Sequence, residues 1–277
     1  MLVPDFAIAS WKKLKFRKIN NNMLANNSEI LLLFASAVAG GALNSVTGGG
    51  SFVSFPALVL AGIPTISANA TNSAVLFPGV IASITAYKKE IFPVNRNLIG
   101  LLLVSAIGGV VGGILLIHSS ESVFRQIVPI LMLGATLLFA FKTKVNTWVR
   151  RFTGNQSSKG YMLGVGCLQF LVAIYGGYFG GGLGILLLAV LSLAGLDDKK
   201  AIATGRLFSA VINGISLIPL LLSGKIIFQL AALLAVGAVL GGYYGAVLAR
   251  SLNARVIRKI VISVGSFMSG YFFLSGV

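Results

Sequence analysis

Apolar residues run along the chain in long blocks separated by short polar segments. A spanning helix needs about 20 mostly apolar residues, and blocks of that kind cover approximately 67–87, 98–117, 123–141, 201–223, 227–249 and 257–275. Two further blocks, about 29–62 and 160–195, are too long for one crossing and are interrupted near their middles by Gly48-Gly49-Gly50 and Gly180-Gly181-Gly182. The pattern predicts an all-α polytopic integral membrane protein. It would have about eight transmembrane helices in two four-helix repeats, the first helix of each broken by a glycine loop.

A shift of roughly 133 positions superimposes the two halves, the mark of an internal repeat. Gly48-Gly49-Gly50 falls on Gly180-Gly181-Gly182 with one residue of slippage, Ala61-Gly62-Ile63 on Ala194-Gly195-Leu196, and Ala68-x-Ala70-Thr71 on Ala201-x-Ala203-Thr204. Gly108-Gly109-x-x-Gly112 meets Gly241-Gly242-x-x-Gly245, and Val123-x-Arg125 meets Val256-x-Arg258. The expected organisation is a basic cytoplasmic N-terminal segment over 1–28, a first transmembrane repeat over 29–142, a cytoplasmic linker over 143–159 and a second repeat over 160–277.

Topology turns on the broken blocks. If each is one discontinuous crossing, the repeats are parallel, and the N-terminus, the 88–96 loop and the linker share one side; this is the preferred arrangement, although Arg250 and Arg255 fit it poorly. If each is instead a re-entrant hairpin, each half has three crossings and the basic linker lands outside.

Composition agrees with a bilayer as solvent: 56% of residues are hydrophobic and 10% charged, against roughly a quarter charged in soluble domains. The six acidic residues, Asp5, Glu29, Glu90, Glu121, Asp197 and Asp198, stand at or near the ends of apolar blocks. A net charge of +16 raises the question of nucleic acid, but the basic residues form no folded face with aromatic interleaving. They collect between blocks, at Lys12, Lys13, Lys15, Arg17 and Lys18, at Lys88, Lys89 and Arg96, and at Lys142, Lys144, Arg150, Arg151 and Lys159. Cytoplasmic loops have that bias, so a multi-pass protein with a cytoplasmic N-terminus is expected and no nucleic-acid partner. The N-terminus shows no cleavable signal pattern, so the first span is expected to insert uncleaved. Cys167, the single cysteine, has no disulfide partner and reads as packing. The one histidine, His118, falls at a span end, and no base, metal cluster or carboxylate pair accompanies it. No enzyme, cofactor or metal is therefore expected.

The glycine breaks carry the candidate chemistry. Asn44-Ser45-Val46-Thr47-Gly48-Gly49-Gly50-Ser51 cannot continue as a comfortable helix, since each interior glycine costs about 1 kcal/mol relative to alanine. Such a break is tolerated only inside protein or beside a water-filled cavity. Paired breaks at corresponding places in two repeats point to a transporter's substrate site. A helix restarting there presents N–H groups and the positive end of its dipole, an environment that favours an anion. The other glycine clusters, Gly108, Gly109, Gly112 and Gly113, and Gly237, Gly241 and Gly245, have the spacing of close helix interfaces.

Beyond the first break, Asn69, Asn72 and Ser73 share one helix face, able either to donate to an anion or to bond between helices. The matching segment of the second half carries Thr204 and Arg206, and Asn213 continues the Arg206 face. An ionisable residue inside a span is a functional candidate. A bound anion is one natural partner for Arg206; snorkelling to Asp197 or Asp198 is the other reading. The candidate substrate-binding set is thus Asn44, Thr47, Gly48, Gly49, Gly50, Ser51, Asn69, Asn72, Ser73, Gly180, Gly181, Gly182, Thr204, Arg206 and Asn213.

At these residues the chain resembles the TauE/SafE sulfite exporter family, also described as the 4-toluene sulfonate uptake permease family. The resemblance rests on the segment from Gly40 to Phe52, on Phe55-Pro56-Ala57-Leu58, on Ala68-Asn69-Ala70-Thr71-Asn72-Ser73, on the segment from Gly177 to Gly184, and on Ala203-Thr204-Gly205-Arg206. It implies a secondary transporter of sulfur oxoanions or organosulfonates, such as sulfite or sulfoacetate, in a prokaryotic plasma membrane. Neither the individual anion nor the direction of transport follows. An anion channel with the same pore-lining donors is the alternative. Membrane lipids are further partners, and small-residue faces leave a homo-oligomer open.

Overall fold

The computed structural model describes residues 27–87, 96–141, 144, 147, 159–249 and 254–275. The basic residues at 12–18, 88, 89, 142, 150, 151 and 250, and most of the expected linker, lie outside the described residues.

All regular structure among the described residues is helical: α1 (Asn27–Thr47), α2 (Ser51–Leu60), α3 (Thr65–Tyr87), α4 (Arg96–His118), α5 (Glu121–Ala140), α6 (Lys159–Tyr178), α7 (Leu183–Leu193), α8 (Asp198–Leu222), α9 (Phe228–Ala249) and α10 (Ala254–Ser275). Six of them, α1, α4, α5, α6, α8 and α9, are long and apolar enough to cross a membrane. Large apolar side chains point outward, among them Leu32, Leu103, Leu163, Leu171 and Phe273. So much exposed apolar surface is stable against lipid and not against water. The protein is a multi-pass helical membrane protein.

The chain stops and reverses at glycines because only glycine adopts positive φ cheaply. Gly48 (φ +73°) ends α1, and Gly180 (φ +76°) and Gly182 (φ +74°) form the turn between α6 and α7. The motif pair Ala61-Gly62-Ile63 and Ala194-Gly195-Leu196 is two copies of one helix stop. Gly62 N donates to Val59 O (2.9 Å) and Ile63 N to Leu58 O (3.2 Å), as Gly195 N does to Ser192 O (3.0 Å) and Leu196 N to Leu191 O (3.0 Å). This is the Schellman arrangement, with its outer apolar residue buried in each case.

Each short helix folds back along the long one before it. Ser54 of α2 lies against Gly40 of α1, and Leu183 of α7 against Gly176 of α6; Tyr161 near the start of α6 donates to Leu193 O at the end of α7 (2.9 Å). The glycine-broken blocks are helical hairpins, not straight interrupted rods.

Glycine faces set the remaining contacts. Phe34, Val38 and Ala42 of α1 meet Gly237, Gly241 and Gly245 of α9 in ascending order, so the two helices run parallel. Gly108 and Gly112 of α4 likewise meet Ala173 and Ile174 of α6, and Gly109 and Gly113 meet Ile212 and Ser216 of α8. Each is a backbone-level approach that a side chain would block, the close packing expected of small-residue faces. Glu121 at the start of α5 accepts from Thr65 Oγ1 (2.8 Å) and Ile66 N (3.3 Å) at the start of α3. Ile227, just before α9, donates to Thr71 Oγ1 (3.1 Å). The starts of α1, α3, α5 and α9 and the ends of α4 and α8 therefore share one end of the bundle. The starts of α4, α6 and α8 share the other.

Candidate functional site

The two glycine turns touch. Gly182 N donates to Gly48 O (3.0 Å), and a Cβ on Gly48 would run into the backbone of Gly184. Glycine is required here by both φ and space. Around the contact the turns satisfy much of their own backbone. Gly48 N donates to Asn44 O (2.9 Å), Phe52 N to Gly49 O (3.1 Å), Val53 N to Gly50 O (3.1 Å), and Ile185 N to Gly182 O (3.0 Å). Tyr175 Oη donates to Gly181 O, tying the second turn to its own helix.

Arg206 reaches this region from α8. Its side chain is 4% exposed, and Nη1 donates to Asn44 O in the last turn of α1 (2.5 Å). A cation at a helix C-terminus meets the negative end of the dipole. Snorkelling to Asp197 is not what the fold adopts. Asp197 caps α8, accepts from Lys200 N (3.0 Å) and pairs with Lys200 Nζ (3.3 Å). That backbone hydrogen bond holds its carboxyl below the usual carboxylate range. The Asp198 side chain is outside the described residues.

The polar face of α3 serves several ends. Asn72 Nδ2 donates to Ser51 Oγ (3.1 Å) and Ser54 Oγ donates to Asn72 Oδ1 (2.5 Å), so Asn72 bonds α3 to α2 through both ends of its amide. Ser73 Oγ donates to Asn69 O within its own helix (2.9 Å). Asn69 Nδ2 donates to Tyr178 O, the last carbonyl of α6 (2.9 Å), while its buried Oδ1 has no hydrogen-bond partner. Each broken long helix thus has a terminal carbonyl gripped from the other half, α1 by Arg206 and α6 by Asn69.

The candidate residues form two groups. α3 and α8 cross where Phe77 packs on Gly214, and they run in opposite directions. Asn69 and Arg206 each precede that crossing by two turns, so they lie on opposite sides of it, each about 12 Å along its axis. Asn44, Gly48, Gly182 and Arg206 are linked through hydrogen bonds, and Asn213 lies near Gly180. Thr204 is buried in α8 two residues before Arg206, and Gly49 and Gly50 are buried in the first turn; the Thr47 side chain is outside the described residues. Sequence reasoning did not single out Ser54, Tyr175 or Tyr178. Ser54 had a signal, its i+3 spacing from Ser51, whereas Tyr178 acts through its backbone carbonyl, which no side-chain pattern announces.

No solved structure matches the chain significantly. Among curated proteins, the probable membrane transporter protein YfcA of Escherichia coli K12 is 30% identical over 259 residues, covering 90% of this chain and 91% of its own. A probable membrane transporter protein of Haemophilus influenzae is 29% identical, covering 86% and 92%, and the probable membrane transporter protein ORF9 of a Sinorhizobium species is 25% identical, covering 85% and 88%. The sequence profile described as sulfite exporter TauE/SafE matches residues 32–272. With nearly the whole helical bundle inside that match, the chain belongs to the TauE/SafE sulfite exporter family.

Proposed function

We propose that this membrane transporter is a secondary carrier of small sulfur-containing anions, sulfite, sulfoacetate or other organosulfonates, that works by alternating access. The observation that carries the anion is Arg206, a permanently charged side chain held inside the bundle at the end of the first broken helix, beside the place where both glycine turns meet. A negative substrate complements that charge, with the Asn213 amide beside Gly180 and the helix starts at the turns as neutral donors.

Two inverted repeats are the supported architecture, each a re-entrant hairpin followed by three crossings, in preference to parallel repeats of four. Both ends of the α1–α2 hairpin lie at one end of the bundle and both ends of the α6–α7 hairpin at the other. The contact of Gly109 with Ile212 recurs one repeat later, halves exchanged, as Gly242 with Gly79. Inverted repeats with broken helices meeting near the midplane are a recurrent transporter design. In this reading the connections at 88–95, 142–158 and 250–253 share one end. Arg250 and Arg255 then join the other basic residues on the cytoplasmic face of a prokaryotic plasma membrane. α1 begins at the opposite end, and the expectation of a cytoplasmic N-terminus rests on residues 1–26, outside the described residues.

The test is flux of labelled sulfite and of an organosulfonate into proteoliposomes, comparing wild type with Arg206→Ala and Arg206→Lys. A carrier shows saturation and counterflow, and the alanine variant loses at least about tenfold in flux, the equivalent of about 1.4 kcal/mol. Wild-type flux in Arg206→Ala would remove the arginine from the substrate site, and flux without counterflow would make the protein a channel.

A further inference from the structure

α4 and α6 run parallel and pack closely from Ser105, whose Oγ accepts from Gln169 Nε2 (2.7 Å), to Gly112, which lies against the Ile174 carbonyl. A Cβ on Gly108 would come within 2.6 Å of Ala173 Cβ, yet toward the helix starts Gly100 and Gly166 have no atom within 4 Å of where a Cβ would stand. Beyond that contact both glycines open onto a crevice of about 640 Å³ on the outer surface. Its walls are apolar, with Ile107 and Phe170 at the deep end, and its mouth holds Arg96 and Asn97.

The dimensions and the charge pick out one kind of occupant. From Arg96 to Ile107 the crevice follows about 17 Å of helix, the depth of one leaflet of a hydrocarbon core about 30 Å thick. The volume lies in the range of built small-ligand sites, about 300–1,000 Å³. Its mouth lies at the N-terminus of α4, with the start of α6 at the same end of the bundle. Exposed Arg96 thus adds its charge to the positive ends of two parallel helix dipoles, a setting for a phosphate. Glycines at 100 and 166 serve no helix contact; their effect is to hollow the wall.

We infer that this crevice is a binding site for an anionic phospholipid, its phosphate at Arg96 and the N-terminus of α4 and one acyl chain lying between α4 and α6. The occupant stands outside the bundle, apart from Arg206 and the glycine turns, so the inference does not depend on the transported substrate.

The test uses the full-length protein, delipidated in detergent, with phosphatidylglycerol and phosphatidylcholine of identical chains. Native mass spectrometry counts retained lipid, and thermal unfolding reads the stabilisation that a ligand of the folded state confers. Wild type is expected to retain phosphatidylglycerol and to unfold several degrees higher with it than with phosphatidylcholine. Arg96→Gln should lose that preference while still accepting a chain. Gly100→Leu, which fills the crevice from a lipid-facing position, should lose retention of both lipids. Equal stabilisation of wild type by the two lipids overturns the headgroup assignment, as does an unchanged preference in Arg96→Gln. Undiminished retention in Gly100→Leu overturns the crevice. A wild-type dimer that Gly100→Leu converts to monomer would make the occupant a second copy of this chain and overturn the lipid.

Discussion

Replacing Gly48 by alanine tests the central contact most directly. The residue is held at φ +73°, a left-handed conformation that costs an L side chain about 1–2 kcal/mol. The added methyl also faces the backbone of Gly184. Rigid overpacking of that kind costs typically about 1–3 kcal/mol. The two act on different coordinates of the same residue and together give about 2–5 kcal/mol. Gly180→Ala separates them: its φ is +76°, but its Cβ would stand 3.1 Å from Gly176 O, a milder conflict, so about 1–2 kcal/mol is expected. Gly134→Ala is the control, since nothing lies within 4 Å of its Cβ position and it sits inside α5; there alanine gains up to about 1 kcal/mol of helix propensity. The assay is thermal unfolding of the purified variants at one scan rate, because membrane proteins of this size are compared by apparent midpoints. The expected order is Gly134→Ala highest, then wild type, then Gly180→Ala, with Gly48→Ala lowest. Gly48→Ala unfolding with or above Gly180→Ala would refute the hairpin-tip contact as a structural constraint.

Other outcomes follow from the same geometry. Asn72→Ala leaves the buried hydroxyls of Ser51 and Ser54 without their amide and should lower stability by about 1–3 kcal/mol, read as a midpoint shift. Gly241→Ala would push a methyl into the Val38 carbonyl and should destabilise by about 1–3 kcal/mol, whereas Gly270→Ala, in open space inside α10, should raise the midpoint slightly, as Gly134→Ala does. Folding lowers the pKa of the Asp197 carboxyl through its hydrogen bond from Lys200 N. Its contribution is therefore present above the ordinary carboxylate range and lost as pH falls through the lowered value. Asp197→Asn, which keeps a cap acceptor, should flatten that acid-side loss in a pH series of unfolding midpoints.

Much of the fold was legible because bilayer and backbone leave few choices. The block at 98–117 became α4 and that at 227–249 became α9 with ends shifted by at most two residues, since an apolar run of spanning length has no stable alternative to helix. The glycine breaks were equally plain. Which way the chain leaves them was not: three glycines permit both a straight restart and a reversal, and only the packing of Ser54 on Gly40 and of Leu183 on Gly176 decides. The site was legible by residue type and less so by partner. Arg206 invited a search for a carboxylate, but it donates to the backbone of Asn44, an acceptor every residue possesses. Asn69, Asn72 and Ser73 look alike on a helical face, yet only Asn69 reaches the other half of the chain.

The pairing of α1 with α9 has a consequence for biosynthesis. Gly41 rests on Ala238, about 200 residues later in the chain, which at about 5–20 residues per second is some 10–40 s of translation. For that interval α1 stands in the bilayer with its glycine face open to lipid or to whatever insertion machinery shields it. α1 thus waits long for its partner along the glycine face, and a ribosome stalled before α9 would leave it packed chiefly on α2 and α3.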